Sequence, residues 1–164
     1  MDPNKIILGK RVLIVDDEID VLGVLVDLLD LCKIDTATSF EEAKKLLDRY
    51  HYDVIILDIM GVQGFDLLAI AKKKDIPALM LTAHALTEES LRKSMEQGAA
   101  YFVPKPEIWQ IATFVADVLD AKEKKENPWI RWFDKLGSIM DSAFTGPNWR
   151  EREKEFLEKV RRGD

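Results

Sequence analysis

"RVLIVDDEIDVL" occupies positions 11–22, and its two halves obey different rules. Val12, Leu13, Ile14 and Val15 form a short apolar run rich in β-branched residues, the composition of a strand buried on both faces. Asp16, Asp17 and Glu18 follow without a spacer. Ile19, Leu22, Val26 and Leu29 then step by three or four residues, as one face of a helix does. The stretch therefore reads as a strand passing into a helix across a rim of adjacent acids. Like charges packed this closely repel, and at least one should keep its proton unless a cation compensates.

The same alternation continues along the chain. Apolar runs recur as "VIIL" (54–57), "ALML" (78–81) and "AYFV" (100–103), with a weaker "IDTAT" (34–38) between the first two. Helical stripes separate them: Ala43, Leu46 and Leu47; Phe65, Leu68 and Ala71; Leu91 and Met95; and Ile108, Ile111, Val115, Val118 and Leu119. Strand followed by helix, five times over, predicts an α/β fold with an open, doubly wound five-stranded parallel sheet and helices on both faces.

Ligands of such sheets gather at the carboxyl ends of the strands, where strand order reverses. The residues just after each run are therefore the candidates for chemistry. Asp16 and Asp17 follow the first run, Asp58 the third, Thr82 the fourth, and Pro104 and Lys105 the fifth. Singly, each acid reads equally well as a loop or capping residue, and Asp17 could cap the following helix. Together they place three carboxylates, a hydroxyl and an ammonium on one rim. A hard divalent cation such as Mg²⁺, which takes one or two carboxylates plus waters and phosphate oxygens, would relieve the repulsion. An aspartate beside such an ion and Lys105 is suited to accept a phosphoryl group, with Thr82 bonding the new oxygens. Glu18 reads as the acidic first turn of a helix, favoured by its dipole.

Composition narrows the classes. The 164 residues carry a net charge of −6 and a single cysteine, Cys32, so no internal disulfide forms, and two histidines make a cysteine/histidine zinc site a poor fit. No stretch approaches the roughly 18 apolar residues of a membrane span, and the start "MDPNKIILGK" lacks a signal-peptide core, which points to a cytoplasmic protein. Residues 1–120 carry a net −8 and 121–164 a net +2, so the acidic body argues against nucleic-acid binding.

These residues carry a resemblance. The acid pair in "IVDDE", Asp58 in "VIILD", Thr82-Ala83 in "LTA" and Lys105-Pro106 in "VPKP" resemble, in order and spacing, the response-regulator receiver domain of two-component signalling over about residues 10–120. The resemblance implies a flavodoxin-like (β/α)5 fold, with Asp58 phosphorylated by a sensor histidine kinase or phosphotransfer protein rather than an enzyme turning over a substrate. It also implies that Asp16, Asp17, Asp58 and the backbone carbonyl of Met60 hold Mg²⁺, and that Lys105 contacts the phosphoryl group. Thr82 and Phe102 take the switch positions, and Met60 and His84 those that tune dephosphorylation. From the residues alone, His84 reads as a surface loop residue or a base, and His51 as structural. One departure stands out: "DIMGVQG" lacks the family's usual Met-Pro pair and reaches Gly64 about two residues early. Gly61 and Gly64 can supply the positive φ or close backbone approach that a shortened loop needs. Two other readings compete: a non-phosphorylated receiver-like adaptor, and a haloacid-dehalogenase-type phosphohydrolase, which wants an aspartate where Glu18 stands.

The expected division is a receiver unit, 1–121, and a helical extension, 122–164. In the extension, Asn127 and Pro128 read as a helix cap and first position. Trp129, Trp132, Phe133, Leu136, Ile139, Met140 and Ala143 then form an apolar stripe. "TGPN" (145–148) breaks it, and a last helix carries Trp149, Phe156, Leu157 and Val160. Three of the four tryptophans fall in these 43 residues, and each ring buries on the order of 150–250 Å² when packed. The stripe's destinations are the chain's own receiver, a homodimer interface or a downstream protein target. Membrane insertion and DNA binding fit the mixed charge and the interrupted helices poorly. Signalling would then pass through protein contacts around the helix of Leu91 and Met95, the strand 100–103 and the helix of Ile108–Leu119.

Overall fold

Five short apolar runs become five parallel strands: β1 (Arg11–Val15), β2 (Lys33–Ala37), β3 (Val54–Asp58), β4 (Ala78–Thr82) and β5 (Tyr101–Pro104). The computed structural model describes residues 1–83 and 87–143, together with 151 and 158. The last helix expected after 148, with Trp149, Phe156, Leu157 and Val160, lies outside the described residues.

The sheet order is β2-β1-β3-β4-β5, so strand order reverses between β1 and β3. The helices are α1 (Pro3–Ile7), α2 (Ile19–Leu28), α3 (Phe40–Arg49), α4 (Gly64–Lys73), α5 (Glu88–Glu96), α6 (Ile111–Glu123) and α7 (Pro128–Ala143). A 3-10 turn, Lys105–Gln110, joins β5 to α6. Right-handed crossovers put α2 and α6 on one face and α3, α4 and α5 on the other. Every residue of β3 and of β4 is buried, as a sheet covered on both faces requires. In register, Val15 pairs with Leu57, Asp58 with Leu81 and Thr82 with Pro104, so the strands end level with one another.

Two helical details depart from the pattern. Ile19 is 74% exposed and Val26 37%, while Leu22, Leu25 and Leu29 form the buried face of this segment. Ile19 opens the helix right after the acidic turn, where it reaches solvent. The second departure is α1, which apolar periodicity does not announce. Its signal is polar: Asp2 caps it, accepting from Asn4 N at 3.1 Å, and Pro3 takes the proline-tolerant first turn. Ile7 is buried, and α1 packs against α6.

The stripe on α7 folds back onto the sheet and α6 of its own chain. Asn127 Oδ1 accepts from Trp129 N at 3.0 Å, so the expected cap forms. Trp129, Trp132, Leu136 and Met140 are buried, and α7 packs against β5 and α6. Its two indoles reach the backbone of β5 and of the residues leading into it: Trp132 Nε1–H donates to Phe102 O at 2.6 Å and Trp129 Nε1–H to Ala99 O at 2.9 Å. A sheet edge left open is a pairing hazard, and α7 covers this one. Asp117 on α6 is also buried; it accepts from Tyr101 Oη at 3.2 Å and from Lys135 Nζ on α7.

Trp132 is the largest of the fully buried side chains. Trp132→Ala should cost about 3–5 kcal/mol, the range for emptying a large aromatic site. Trp132→Phe keeps much of the ring but leaves Phe102 O unpartnered, and should cost about 1–3 kcal/mol. Urea denaturation of the full chain checks both values and their order.

Candidate functional site

Parallel strands that end level bring their next residues to a common rim, and the acids are placed there by β1 and β3. Asp16 follows β1 and is fully buried. Its Oδ1 accepts from Glu18 N at 2.9 Å, which turns the chain toward α2. Asp58 closes β3 and is 5% exposed; Thr82 closes β4 and is buried as well. Lys105 begins the 3-10 turn after β5, and its ammonium reaches back across the rim. Nζ lies 2.7 Å from Glu18 Oε1, 3.0 Å from Asp16 Oδ2 and 3.5 Å from Asp58 Oδ1.

One ammonium among several carboxylates leaves an excess of negative charge. Burial, reinforced by the charge of Asp16, pushes Asp58 up to about 6 against the pull of Lys105. Burial likewise raises Asp16, although Glu18 N and Lys105 oppose it. For Lys105, burial works against the charge, but the neighbouring carboxylates of Glu18, Asp16 and Asp58 outweigh that and raise its pKa. Asp16 Oδ2 is close to Lys105 yet poorly aligned with it. Among the described residues it is the buried side-chain polar atom without a hydrogen-bond partner.

That orphaned oxygen, with its neighbours, fits a divalent cation. Asp16, Asp17 and Glu18 each offer a carboxylate oxygen within 4.8 Å of the others, a hard donor set. The loop after β3 is shaped to leave room for it. Gly61 has φ +83°, and a Cβ there would stand 2.5 Å from Asp17 Oδ2. A Cβ on Gly64 would strike the carbonyl oxygen of Asp58. Gln63, just before α4, is itself left-handed, with φ 55°. The shortened loop is thus closed by glycines and one strained residue, as the spacing of "DIMGVQG" anticipates.

A recess of about 230 Å³ opens over the cluster, lined by Asp17, Asp58, Met60, Thr82 and Lys105, and by Glu18, Gly61 and Ala83. Of the residues singled out from sequence, Asp17, Asp58, Met60, Thr82 and Lys105 meet at this recess, with Asp16 buried beside it. Met60 is 62% exposed at the mouth. Phe102 does not line it; it is buried on β5, with its carbonyl bonded to Trp132. His84 lies outside the described residues.

Glu18 is the correction. It stands at the N-cap of α2 in extended conformation rather than in the first turn, and its side chain makes no cap bond. It is instead the nearest carboxylate to Lys105, a pairing that sequence distance conceals: 87 residues separate them. Its only signal was its place in the run of three acids.

The family model "Response regulator receiver domain" matches residues 12–115. The chain is 34% identical over 109 residues to "Two-component response regulator ARR18" of Arabidopsis thaliana, covering 63% of this chain and 17% of that protein. It is 37% identical over 100 residues to "Heme response regulator HssR" of Staphylococcus aureus, covering 57% of this chain and 44% of that one. Among solved structures, a CheY-like receiver domain protein from Methanospirillum hungatei superposes with a TM-score of 0.66 at 25% identity, over 71% of this chain and 98% of that one. The chain spans less than half the length of these two curated relatives.

The raised pKa of Asp58 has a consequence for stability without metal. Its folded value, about 6, lies above the ordinary 3.8, so the folded state holds its proton more tightly than the unfolded chain. Stability should therefore fall as pH rises from about 4 to about 6, and the penalty is fully present above that. In chelator, Asp58→Asn should stabilise the protein at pH 7.5 by on the order of 1–3 kcal/mol, with the gain shrinking toward pH 4. Thermal melts across that range check the sign.

Proposed function

The chain belongs to the response-regulator receiver family of two-component signalling, and from that premise we propose that Asp58 is its phosphoacceptor. Like other receivers, it undergoes aspartyl phosphorylation rather than turning over a substrate as an enzyme does. The observation that carries the proposal is Lys105 Nζ, held among Asp16, Glu18 and Asp58 at the mouth of the recess.

The donor is a phosphohistidine on a sensor histidine kinase or phosphotransfer protein. An Asp58 carboxylate oxygen attacks phosphorus; the new O–P bond forms as the N–P bond breaks, and the electron pair returns to the donor imidazole. Asp16, Asp17, Asp58 and the Met60 carbonyl would hold Mg²⁺, which supplies charge neutralisation for the incoming phosphoryl oxygens. Lys105 turns from Glu18 toward those oxygens, and the Thr82 hydroxyl bonds one of them. Glu18 holds the ammonium in the resting state, so that it must exchange one anion for another.

Residues 1–121 carry this chemistry, and 122–164 serve the output. Phosphorylation biases β4 and β5 at Thr82 and Phe102, and signals through protein contacts around α5, β5 and α6, including a downstream target or a second copy. Neither nucleic acid nor a membrane enters this reading, and the protein acts in the cytoplasm. Among the described residues no helix is long and apolar enough to cross a membrane.

Incubated with a small phosphodonor and Mg²⁺, the intact protein should gain the mass of one phosphate, and Asp58→Asn should gain none. An undiminished gain in that variant would overturn the assignment. Gly61→Ala should weaken Mg²⁺ binding by roughly tenfold or more, because the added Cβ displaces the Asp17 carboxylate. The left-handed backbone at Gly61 also strains any Cβ, so the metal-free fold should lose more than about 1 kcal/mol. Mg²⁺ titrations followed by melting temperature separate the two effects.

A further inference from the structure

A second hollow, larger than the acidic recess, lies away from it. It measures about 550 Å³ and sits at the amino ends of β4 and β5, where α4, α5 and α6 finish and α7 begins. That volume falls within the range of small-molecule sites. Ile76, Met95, Val118 and Trp129, all buried, supply its apolar lining. The Trp129 ring is fixed there by its bond to Ala99 O.

The charged residues around it do not balance. Two acids and three lysines line the hollow. Both acids are already engaged: Asp75 with Lys122, and Glu126 with Arg131 Nη2 at 3.0 Å. Lys72 and Lys125 remain, and neither has an ion pair or side-chain hydrogen bond among the described residues. Lys72 lies across Gly98, whose missing Cβ leaves room for it; an added Cβ would stand 3.1 Å from its Nζ. Lysines near a helix's end commonly accompany its dipole. Here two of them border an apolar hollow whose own acids are neutralised, which is the pattern of a site for an amphipathic anion.

We propose that this hollow binds a small aromatic carboxylate. Its ring lies against Ile76, Met95, Val118 and Trp129, and its carboxylate meets the ammonium groups of Lys72 and Lys125. A flat ring suits the thioether of Met95 and the indole face or edge of Trp129. Lys125 belongs to the turn before α7 and Trp129 to the first turn of α7, while Lys72 belongs to α4, so the ligand ties the start of α7 to the receiver. Binding therefore stabilises the docked position of α7, independently of phosphorylation at Asp58.

The test titrates 2-naphthoate, and separately the neutral 2-naphthamide, into the isotope-labelled full chain and follows its amide and indole NMR signals. Naphthoate should shift Gly98, Lys125 and Trp129 saturably, with a Kd of about a millimolar or tighter. Naphthamide should bind roughly three- to tenfold more weakly. The double variant Lys72→Gln/Lys125→Gln should lose that preference while its melting temperature stays within about 2 °C of the parent. Should the double variant melt lower, Lys72→Gln alone should still halve the preference or more. No saturable shift, equal binding of the amide, an unchanged preference in the variants, or shifts centred on Glu18 and Lys105 would each overturn the proposal.

Discussion

A single ammonium group, Lys105 Nζ, reaches from the end of β5 to carboxylates that β1 and β3 deliver, and the rim depends on that reach. At about 3 Å and an effective dielectric near 20, one such pair is attractive by about 5 kcal/mol. Desolvating each ion costs several kcal/mol in return. One cation therefore roughly compensates one buried carboxylate, and this rim has more than one. The remainder appears as the raised pKa of Asp58 and the orphaned Asp16 Oδ2. The rim is left short of positive charge, which is the condition under which a divalent cation and a phosphoryl group find a place together.

The other end of β5 solves a different problem. As the edge strand it exposes backbone groups and an apolar flank, and α7 covers both with four buried side chains and two indole donors, one to Phe102 O in the strand and one to Ala99 O just before it. Phe102 joins the two ends: its carbonyl is bound to Trp132, and one residue beyond its neighbour, Pro104 pairs with Thr82 at the rim. A rearrangement at Thr82 would thus have a short, covalently continuous path to α7 along one strand.

Much of this was legible in the chain because it is local. The β-branched runs announce the strands, and the strand-end rule then picks out Asp16, Asp17, Asp58, Thr82 and Lys105 without any knowledge of how the strands are ordered. Asn127 and Pro128 announce the start of α7 in the same way. What escaped depends on contacts distant in sequence. Glu18 looks like a helix-turn acid until Lys105, 87 residues away, is seen beside it. Ile19 fits the helical period but opens α2 at the rim, so its side chain meets solvent. The stripe on α7 revealed that it must be buried, but not where; only the open edge of β5 decides that. The short helix α1 is signalled by a cap and a proline rather than by periodicity, and five residues are too few for a period to show.

The central claim is that the phosphoryl group resides on Asp58 and not on the adjacent acids of β1. The most direct measurement is to phosphorylate the full chain with a small phosphodonor and Mg²⁺, reduce the acyl phosphate with borohydride, and sequence the peptides by mass. Reduction converts a phosphorylated aspartate to homoserine. The account predicts homoserine at position 58 alone. Homoserine at position 16 or 17, or an acyl phosphate elsewhere with Asp58 unmodified, would contradict it.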